Sequence, residues 1–229
     1  TTMREIVLDT ETTGFDPHTG HRVVEVGCVE LFNHVVTGAE FHAYLNPERD
    51  MPAEAEAVHG LSTGFLADKP LFLAIADDML GFISDSPIIA HNASFDMGFL
   101  NAELMRAGKK LLSNDRAIDT VGLARRKFPG AQASLDALCR RFQIDTSGRD
   151  KHGALLDAKL LAQVYLELIG GREPGLALTM SEVAVTQQKA QERPARLPRP
   201  HAPTPEELAA HTRFVTTLKS PIWSLYTGT

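Results

Sequence analysis

The sequence predicts an α/β domain in which helices flank a mixed β-sheet. Its first 45 residues contain three extended segments rich in apolar residues, and the connections between them are too short for crossover helices, so we expect an antiparallel meander. Helical and short apolar segments then alternate along the chain, which favours a sheet covered by helices. The 229 residues, 43% hydrophobic and 23% charged, are enough for one good-sized domain with an appendage or for two small domains.

The meander comes first in the chain. We predict strands over residues 4–9, 21–31 and 34–45, with a turn at Phe32 and Asn33 between the second and the third. The first of these segments, REIVLD, is a short apolar run that ends in an acid. It therefore has the pattern of a buried strand with a carboxylate at its end.

The remainder of the domain contains helices and two more short strands. Apolar spacing, bounded by Gly, Pro or polar residues, predicts helices over 70–83, 94–107, 120–127, 134–142 and 153–169. Two short apolar runs predict strands over 87–90 and 117–119. The domain implied by these elements covers residues 1–170.

The composition changes after Gly170 and Gly171. Seven of the thirteen prolines lie in the last 59 residues, and the stretch 186–200 is too polar and proline-rich to form a core. We predict a flexible linker over 171–203 and a tail over 204–229. A helix is expected within 204–218, because a Thr-Pro-Glu-Glu sequence is a good helix start.

Charge and cysteine content indicate what the protein binds and in which compartment it works. The net charge of −6 divides into −8 for residues 1–170 and +2 for the remainder, so acidic groups concentrate in the domain. An acidic domain still binds a polyanion if some of its acids hold metal ions. We expect a cytoplasmic protein without a membrane span, because no apolar run approaches about 20 residues and no basic leader precedes the first strand. Cys28 and Cys139 are expected as reduced core thiols.

Acidic residues follow two of the predicted strands. Asp9 and Glu11 come at the end of the first strand, and residues two apart on a strand face the same side. Asp96 follows the strand at 87–90; with Ser94 as the N-cap, it lies in the first turn of the next helix, where a carboxylate is favoured. Taken singly, each is an ordinary strand end or helix cap.

His152 and Asp157 form the third element. Five residues apart on one helix, they would lie about 140° apart, so they converge only if His152 precedes the helix, as Gly153 permits. On its own, this pair is equally well an exposed histidine near a helix start.

Taken together, the three segments DTETTG, HNASFD and HGALLDA resemble the DEDD exonucleases, in the subgroup that uses histidine. The resemblance covers roughly residues 4–170 and implies a ribonuclease H-like fold. Within that family the chain is most similar to the epsilon proofreading subunits of bacterial DNA polymerase III. That finer similarity rests on VHGLS at 58–62, on the short exonuclease domain, and on the linker followed by a Trp-containing tail.

The resemblance implies a metal-dependent 3′→5′ exonuclease that removes mispaired 3′ nucleotides from DNA as 5′-monophosphates. Oxygen ligands suit Mg²⁺ or Mn²⁺, and a pair of such ions is implied. The implied metal ligands are Asp9, Glu11, Asp96 and Asp157, and His152 is the implied general base, since imidazole titrates near neutral pH.

The family also implies a set of substrate contacts. Besides Asp9, Glu11 and Asp157, these are expected at Thr12, Glu54, His59 and Asn92. Three basic clusters, Arg125–Lys127, Arg140–Arg141 and Arg149 with Lys151, either contact phosphates or form a solvated face.

Two partner segments are expected in the tail. The segment at 173–178, EPGLAL, resembles a sliding-clamp-binding peptide, but Glu173 replaces the usual glutamine, and a plain linker is the alternative. The segment around Trp223 resembles the part that docks on the polymerase alpha subunit, and packing against its own domain is the alternative. Two other functions stay open: an RNA-trimming exonuclease of the same family, which the tail disfavours, and a non-catalytic polymerase tether, which the complete set of acids disfavours.

Overall fold

The computed structural model of the protein describes residues 3–148, 151–170 and 202–219. The chain divides between residues 175 and 176 into two units. Of the described elements, the first unit contains all the strands and the helices up to Ile169, and the second contains one helix. The predictions for 173–178 and for Trp223 lie outside the described residues.

A mixed sheet forms the centre of the first unit. In the described part of the chain it has five strands in the order β3-β2-β1-β4-β5; β1, β2 and β3 pair antiparallel, whereas β4 is parallel to both β1 and β5. This arrangement confirms the predicted meander and the mixed sheet. The strands are β1 Arg4–Thr12, β2 Val23–Phe32, β3 Val35–Tyr44, β4 Ile88–Ala90 and β5 Ala117–Asp119.

The helices confirm the predicted ones to within two residues at each end. Two further short helices, α1 and α2, lie outside the predicted elements, because one or two turns are too short to show an apolar period. The helices are α1 Ala53–His59, α2 Thr63–Leu66, α3 Phe72–Ile83, α4 Ala93–Arg106, α5 Thr120–Lys127, α6 Leu135–Arg141, α7 Ala154–Ile169 and α8 Pro205–Thr217.

Strand β1 is longer than predicted, and this changes the place of the acids. Pairing with β2 continues to Glu11 opposite Glu25 and, after an irregularity in register, to Thr12 opposite Val23. The strand therefore runs three residues beyond Asp9, because a neighbouring strand satisfies its backbone groups. Asp9 and Glu11 lie inside the strand and share one of its faces.

The sheet separates two hydrophobic layers, and alternation along β1 distributes its side chains between them. Ile6 and Leu8 pack with α3 and α4, whereas Val7 packs with α6 and α7. Asp9 and Glu11 lie on the same face of β1 as Val7, and Thr10 lies on the same face as Leu8. The end of β1 thus carries polar groups toward α7 on one face and toward α4 on the other. Cys28 and Cys139 are buried in these layers, as predicted.

Helix α8 begins as predicted. The side chain of Thr204 accepts a hydrogen bond from the Glu207 amide, and the Glu207 carboxylate accepts one from the Thr204 amide. This reciprocal pair satisfies two amides at the start of the helix. Among the described residues, no helix has the length and apolarity that a membrane span requires.

Candidate active site

A close approach of β2 and α7 brings the third acidic segment to β1. Gly27 lies directly opposite Asp9 in the β1–β2 register. A Cβ atom at Gly27 would be 2.3 Å from the amide nitrogen of Leu155, so only glycine allows the start of α7 to lie this close to the sheet. Asp157, in the first turns of α7, is buried, with 3% of its surface exposed.

His152 lies before α7, as predicted, and turns toward its start. Its Nδ1 is 3.1 Å from Oδ2 of Asp157. Its backbone amide donates to the carbonyl of Val58 at 3.3 Å, which ties the segment to the end of α1. The side chain is about half exposed, so the imidazole lies at the boundary between the buried acids and solvent.

Asp96 reaches the site from α4 on the other side of the sheet. The hydroxyl of Thr10 donates a hydrogen bond to its Oδ1 at 2.7 Å, and both residues are buried. The predicted N-cap, Ser94, is wrong: Asn92 is the N-cap, in a left-handed conformation with φ 69°. The reason is a long-range contact, because Oδ1 of Asp119 accepts hydrogen bonds from the amides of Asn92 and Ala93 and holds this loop.

The five predicted catalytic residues line one cleft of about 280 Å³. Further walls come from His91, Phe95 and Ser134. Ligand atoms of Glu11, His152 and Asp157 lie within 4.8 Å of one another, close enough to hold one metal ion. We refer to this cavity as the catalytic cleft. It brings together residues from β1, α4 and the start of α7, as the sequence predicts.

The electrostatics of the catalytic cleft favour bound cations. Burial raises the pKa of Asp9 well above its ordinary value, and the carboxylates of Asp96, Glu11 and Asp157 raise it further. Burial raises the pKa of Asp96 to about 7, although the hydrogen bond from Thr10 opposes this shift. Clustered carboxylates with raised pKa values are stabilised in the ionised form by divalent cations, and an oxygen-rich donor set fits Mg²⁺ or Mn²⁺.

The predicted substrate contacts are distributed around this cleft. Thr12 ends β1, and its hydroxyl donates to the carbonyl of Gly14 at 2.6 Å. His59 is buried at the end of α1; burial lowers its pKa, and the neighbouring Thr12 backbone opposes this. Glu54 is exposed on α1, and Asn92 lines an adjoining cleft. Among the described residues, the lining of the catalytic cleft includes none of Thr12, Glu54, His59 and Asn92.

The comparisons with known proteins agree with this geometry. A family model described as Exonuclease matches residues 6–165. The chain is 51% identical over 224 residues to the DNA polymerase III subunit epsilon of Rickettsia felis, across 94% of this chain and 97% of that protein. The chain belongs to this exonuclease family. It is also 42% identical over 221 residues to the epsilon subunit of Escherichia coli K12, across 91% of this chain and 90% of that one.

Solved structures support the exonuclease fold. Exonuclease X, in complex with 5′ overhanging duplex DNA, is 25% identical with a TM-score of 0.56, covering 72% of this chain and 90% of that one. The nuclease domain of 3′hExo, a DEDDh family member bound to rAMP, is 18% identical with a TM-score of 0.63, covering 72% and 91%. These likenesses confirm the predicted ribonuclease H-like arrangement. Exonucleases of this family depend on divalent metal ions.

Three residues that support the exonuclease site were not predicted from the sequence. Thr10 binds Asp96, Gly27 admits α7, and Asp119 holds the loop at Asn92. Asp119 had a detectable local signal, since an acid immediately before a predicted helix is a common N-cap. Thr10 and Gly27 act through contacts with distant segments, and the residues next to them in the chain carry no sign of these contacts.

Proposed function

We propose that the chain is a 3′→5′ proofreading exonuclease that removes mispaired 3′-terminal nucleotides from DNA as part of a bacterial replicative polymerase. The observation that supports this most directly is the convergence of Asp9, Glu11, Asp96, Asp157 and His152 in one cleft. These residues come from three segments that lie far apart in the sequence. The substrate and the polymerase context follow from the epsilon relatives, which match over nearly the whole chain.

The carboxylates would hold two divalent ions, Mg²⁺ or Mn²⁺. Asp9, Glu11 and Asp157 would bind the ion beside the attacking water, Asp9 would also bind the second, and Asp96 would support the second. The bound ions supply charge neutralisation for the acids and for the phosphodiester. Thr10 keeps Asp96 turned toward the cleft, and Gly27 allows Asp157 to reach it.

His152 would act as the general base. Its Nδ1 lies against the Asp157 carboxylate, a contact that favours a proton on Nδ1 and leaves Nε2 as the basic nitrogen. Nε2 would take a proton from water as the water oxygen bonds to phosphorus. The bond from phosphorus to the 3′ oxygen of the preceding nucleotide breaks, and that oxygen takes a proton from solvent. The product is a nucleoside 5′-monophosphate.

The 3′-terminal nucleotide is proposed to occupy the side of the catalytic cleft near the end of α1. At the end of α1, His59 lies next to the backbone of Thr12. The amide of His152 donates a hydrogen bond to the carbonyl of Val58, the residue before His59 in this helix. Glu54, one turn earlier in α1, is proposed to contact the same nucleotide. Asn92 lines the adjoining cleft and is proposed to contact the preceding part of the strand.

Incubation with Mg²⁺ and equal lengths of 3′-mispaired DNA and RNA tests the reaction. We expect stepwise shortening of the DNA from its 3′ end, dependent on the metal, and slower shortening of the RNA. Faster degradation of the RNA would favour the RNA-trimming alternative. Absence of hydrolysis of either, with a folded protein and bound metal, would favour the non-catalytic tether.

The tail is proposed to connect the nuclease to its partners in the cytoplasm. In this proposal residues 171–203 are a linker, 204–229 bind the polymerase alpha subunit, and 173–178 form a clamp-binding peptide. A tether raises the local concentration of the nuclease at the polymerase without changing its chemistry.

Truncation after Gly171 tests the tail. We expect unchanged hydrolysis of free single-stranded DNA and loss of binding to purified polymerase subunit. Trp223→Ala alone is expected to weaken that binding strongly. If the truncated and Trp223→Ala chains both bind as tightly as the intact chain, the docking surface lies on the nuclease domain.

A further inference from the structure

Three consecutive basic residues at the end of α5 have three different surroundings. The ammonium group of Lys127 donates to the carbonyls of Glu167 and Leu168 at 2.7 and 2.9 Å, so it caps the end of α7. The guanidinium of Arg126 lies along its own helix, with Nη1 3.6 Å from the position that a Cβ of Gly122 would occupy. Arg125 faces a cleft. Of the three, Arg125 is the one that lines this cleft.

The cleft at Arg125, which we call the second cleft, adjoins the catalytic cleft. Its volume is about 590 Å³, within the range of roughly 300–1,000 Å³ typical of small-molecule sites. Its walls include Asn92, Asp119 and the loop before α6. His91 and Ser134 line both cavities. A strand that leaves the catalytic cleft on this side therefore enters the second cleft directly.

The charges of the second cleft favour an anion. Arg125 is exposed, and in the part of the chain that the structure describes it forms no salt bridge. Asp119 is the acid of the lining, and its carboxylate accepts hydrogen bonds from the amides of Asn92, Ala93, Val121 and Gly122. These four amides offset the charge of Asp119. The guanidinium of Arg125 is thus available for a ligand.

We propose that the second cleft binds a phosphodiester of the substrate strand on the 5′ side of the scissile bond, and that the guanidinium of Arg125 contacts this phosphate. This rests on the proposed nuclease function. The terminal nucleotide is assigned to the part of the catalytic cleft near α1, and in this proposal the strand leaves along the wall of His91 and Ser134, which both clefts share. A planar guanidinium matches two phosphate oxygens at once, and the amide of Asn92 and the hydroxyl of Ser134 supply further polar contacts.

The test compares Arg125→Gln with Arg126→Gln, which removes the same charge from the next residue of the helix. The two substrates are thymidylyl-thymidine, which has only the scissile phosphate, and a ten-residue oligothymidylate. For Arg125→Gln we expect KM for the oligonucleotide to rise about tenfold with little change in kcat. The slope of log(kcat/KM) against log salt should become less negative by about 0.7, as for one lost phosphate contact on a single strand. Cleavage of the dinucleotide should be unchanged, and Arg126→Gln should resemble the parent on both substrates.

Three outcomes would overturn the proposal. An equal loss of kcat/KM on both substrates would show that Arg125 supports the catalytic cleft instead. No loss on either substrate would show that Arg125 is only a solvated surface cation. An equal effect of Arg126→Gln would show a general charge effect. Failure of the parent protein to cleave either substrate would count against the nuclease function itself, which separates the two questions.

Discussion

Helix α4 buries two carboxylates, Asp96 and Glu103, with opposite surroundings. They are seven residues apart, so they lie on nearly the same face of the helix, and only 3% and 2% of their surfaces are exposed. Nε and Nη2 of Arg22 donate to the two oxygens of Glu103 at 2.6 and 2.9 Å, and the amide of Val23 donates at 3.3 Å. Asp96 instead accepts a hydrogen bond from the hydroxyl of Thr10, and its charge raises the pKa of Asp9.

The difference separates a structural acid from a functional one. Arg22 compensates the charge of Glu103 from within the chain, so that pair holds the beginning of β2 against α4. For Asp9, the neighbouring charges with the largest effect on its pKa are carboxylates: those of Asp96, Glu11, Asp157 and Glu25. Folding therefore leaves negative charge in the catalytic cleft that cations from solution can neutralise.

Asp96→Asn is expected to have the largest effect. It removes the charge proposed to bind metal and keeps the shape, so the rate of DNA hydrolysis should fall about 10²–10³-fold. The unfolding temperature in the absence of metal should rise, because repulsion within the cluster decreases. Steady-state kinetics in Mg²⁺ and thermal unfolding in EDTA measure the two effects. A rate within tenfold of the parent would contradict the assignment of Asp96.

His152→Ala tests the imidazole beside Asp157. Loss of a general base should lower the single-turnover rate about 10²-fold or more. The parent rate should rise with pH as the general base loses its proton, and the variant should lack this rise. Binding of Mn²⁺ and of DNA should persist in the variant. A pH–rate profile of the same shape in both proteins would exclude His152 as the base.

Glu103→Gln should lower stability and leave the rate nearly unchanged, the reverse of Asp96→Asn. The partly buried guanidinium of Arg22 would lose its charged partner at 2.6 Å and keep only the exposed carboxylate of Glu48 at 3.5 Å, so the free energy of unfolding should fall by about 2 kcal/mol. The rate per folded molecule should stay close to that of the parent. Urea denaturation and kinetics at a temperature well below the unfolding transition measure the two quantities. A large loss of activity at unchanged stability would show that Glu103 belongs to the site.

The free energy of unfolding should also depend on pH. The pKa of Asp96 is raised to about 7 in the folded protein, above the value of about 3.9 for an unfolded chain. The folded protein therefore binds the extra proton, and this stabilisation is lost as the pH rises from about 4 through 7. Thermal unfolding in EDTA should show a falling unfolding temperature over this interval. Asp96→Asn or saturating Mg²⁺ should reduce the slope, and an unchanged slope in the variant would assign it to another group.

Much of this molecule follows from local pattern in the sequence. Helix α5 was predicted with its observed bounds, and the meander and the position of His152 before α7 were also predicted correctly. Such features depend on residues close together in the chain: apolar periodicity, a glycine or proline at an end, or a capping side chain. The three acidic segments were recognised as one site by their resemblance to a family.

The tertiary structure alone decided how these segments meet. Thr10 and Asp96 are 86 residues apart, and Gly27 matters only because the start of α7 lies against it. The extension of β1 to Thr12 depends on pairing with β2, and the N-cap at Asn92 depends on Asp119. Sequence pattern reports which elements form because apolar periodicity, and in helices also hydrogen bonding, is local. It does not report close approach between elements, since that is determined by packing among distant side chains, and the geometry of the catalytic cleft depends on that packing.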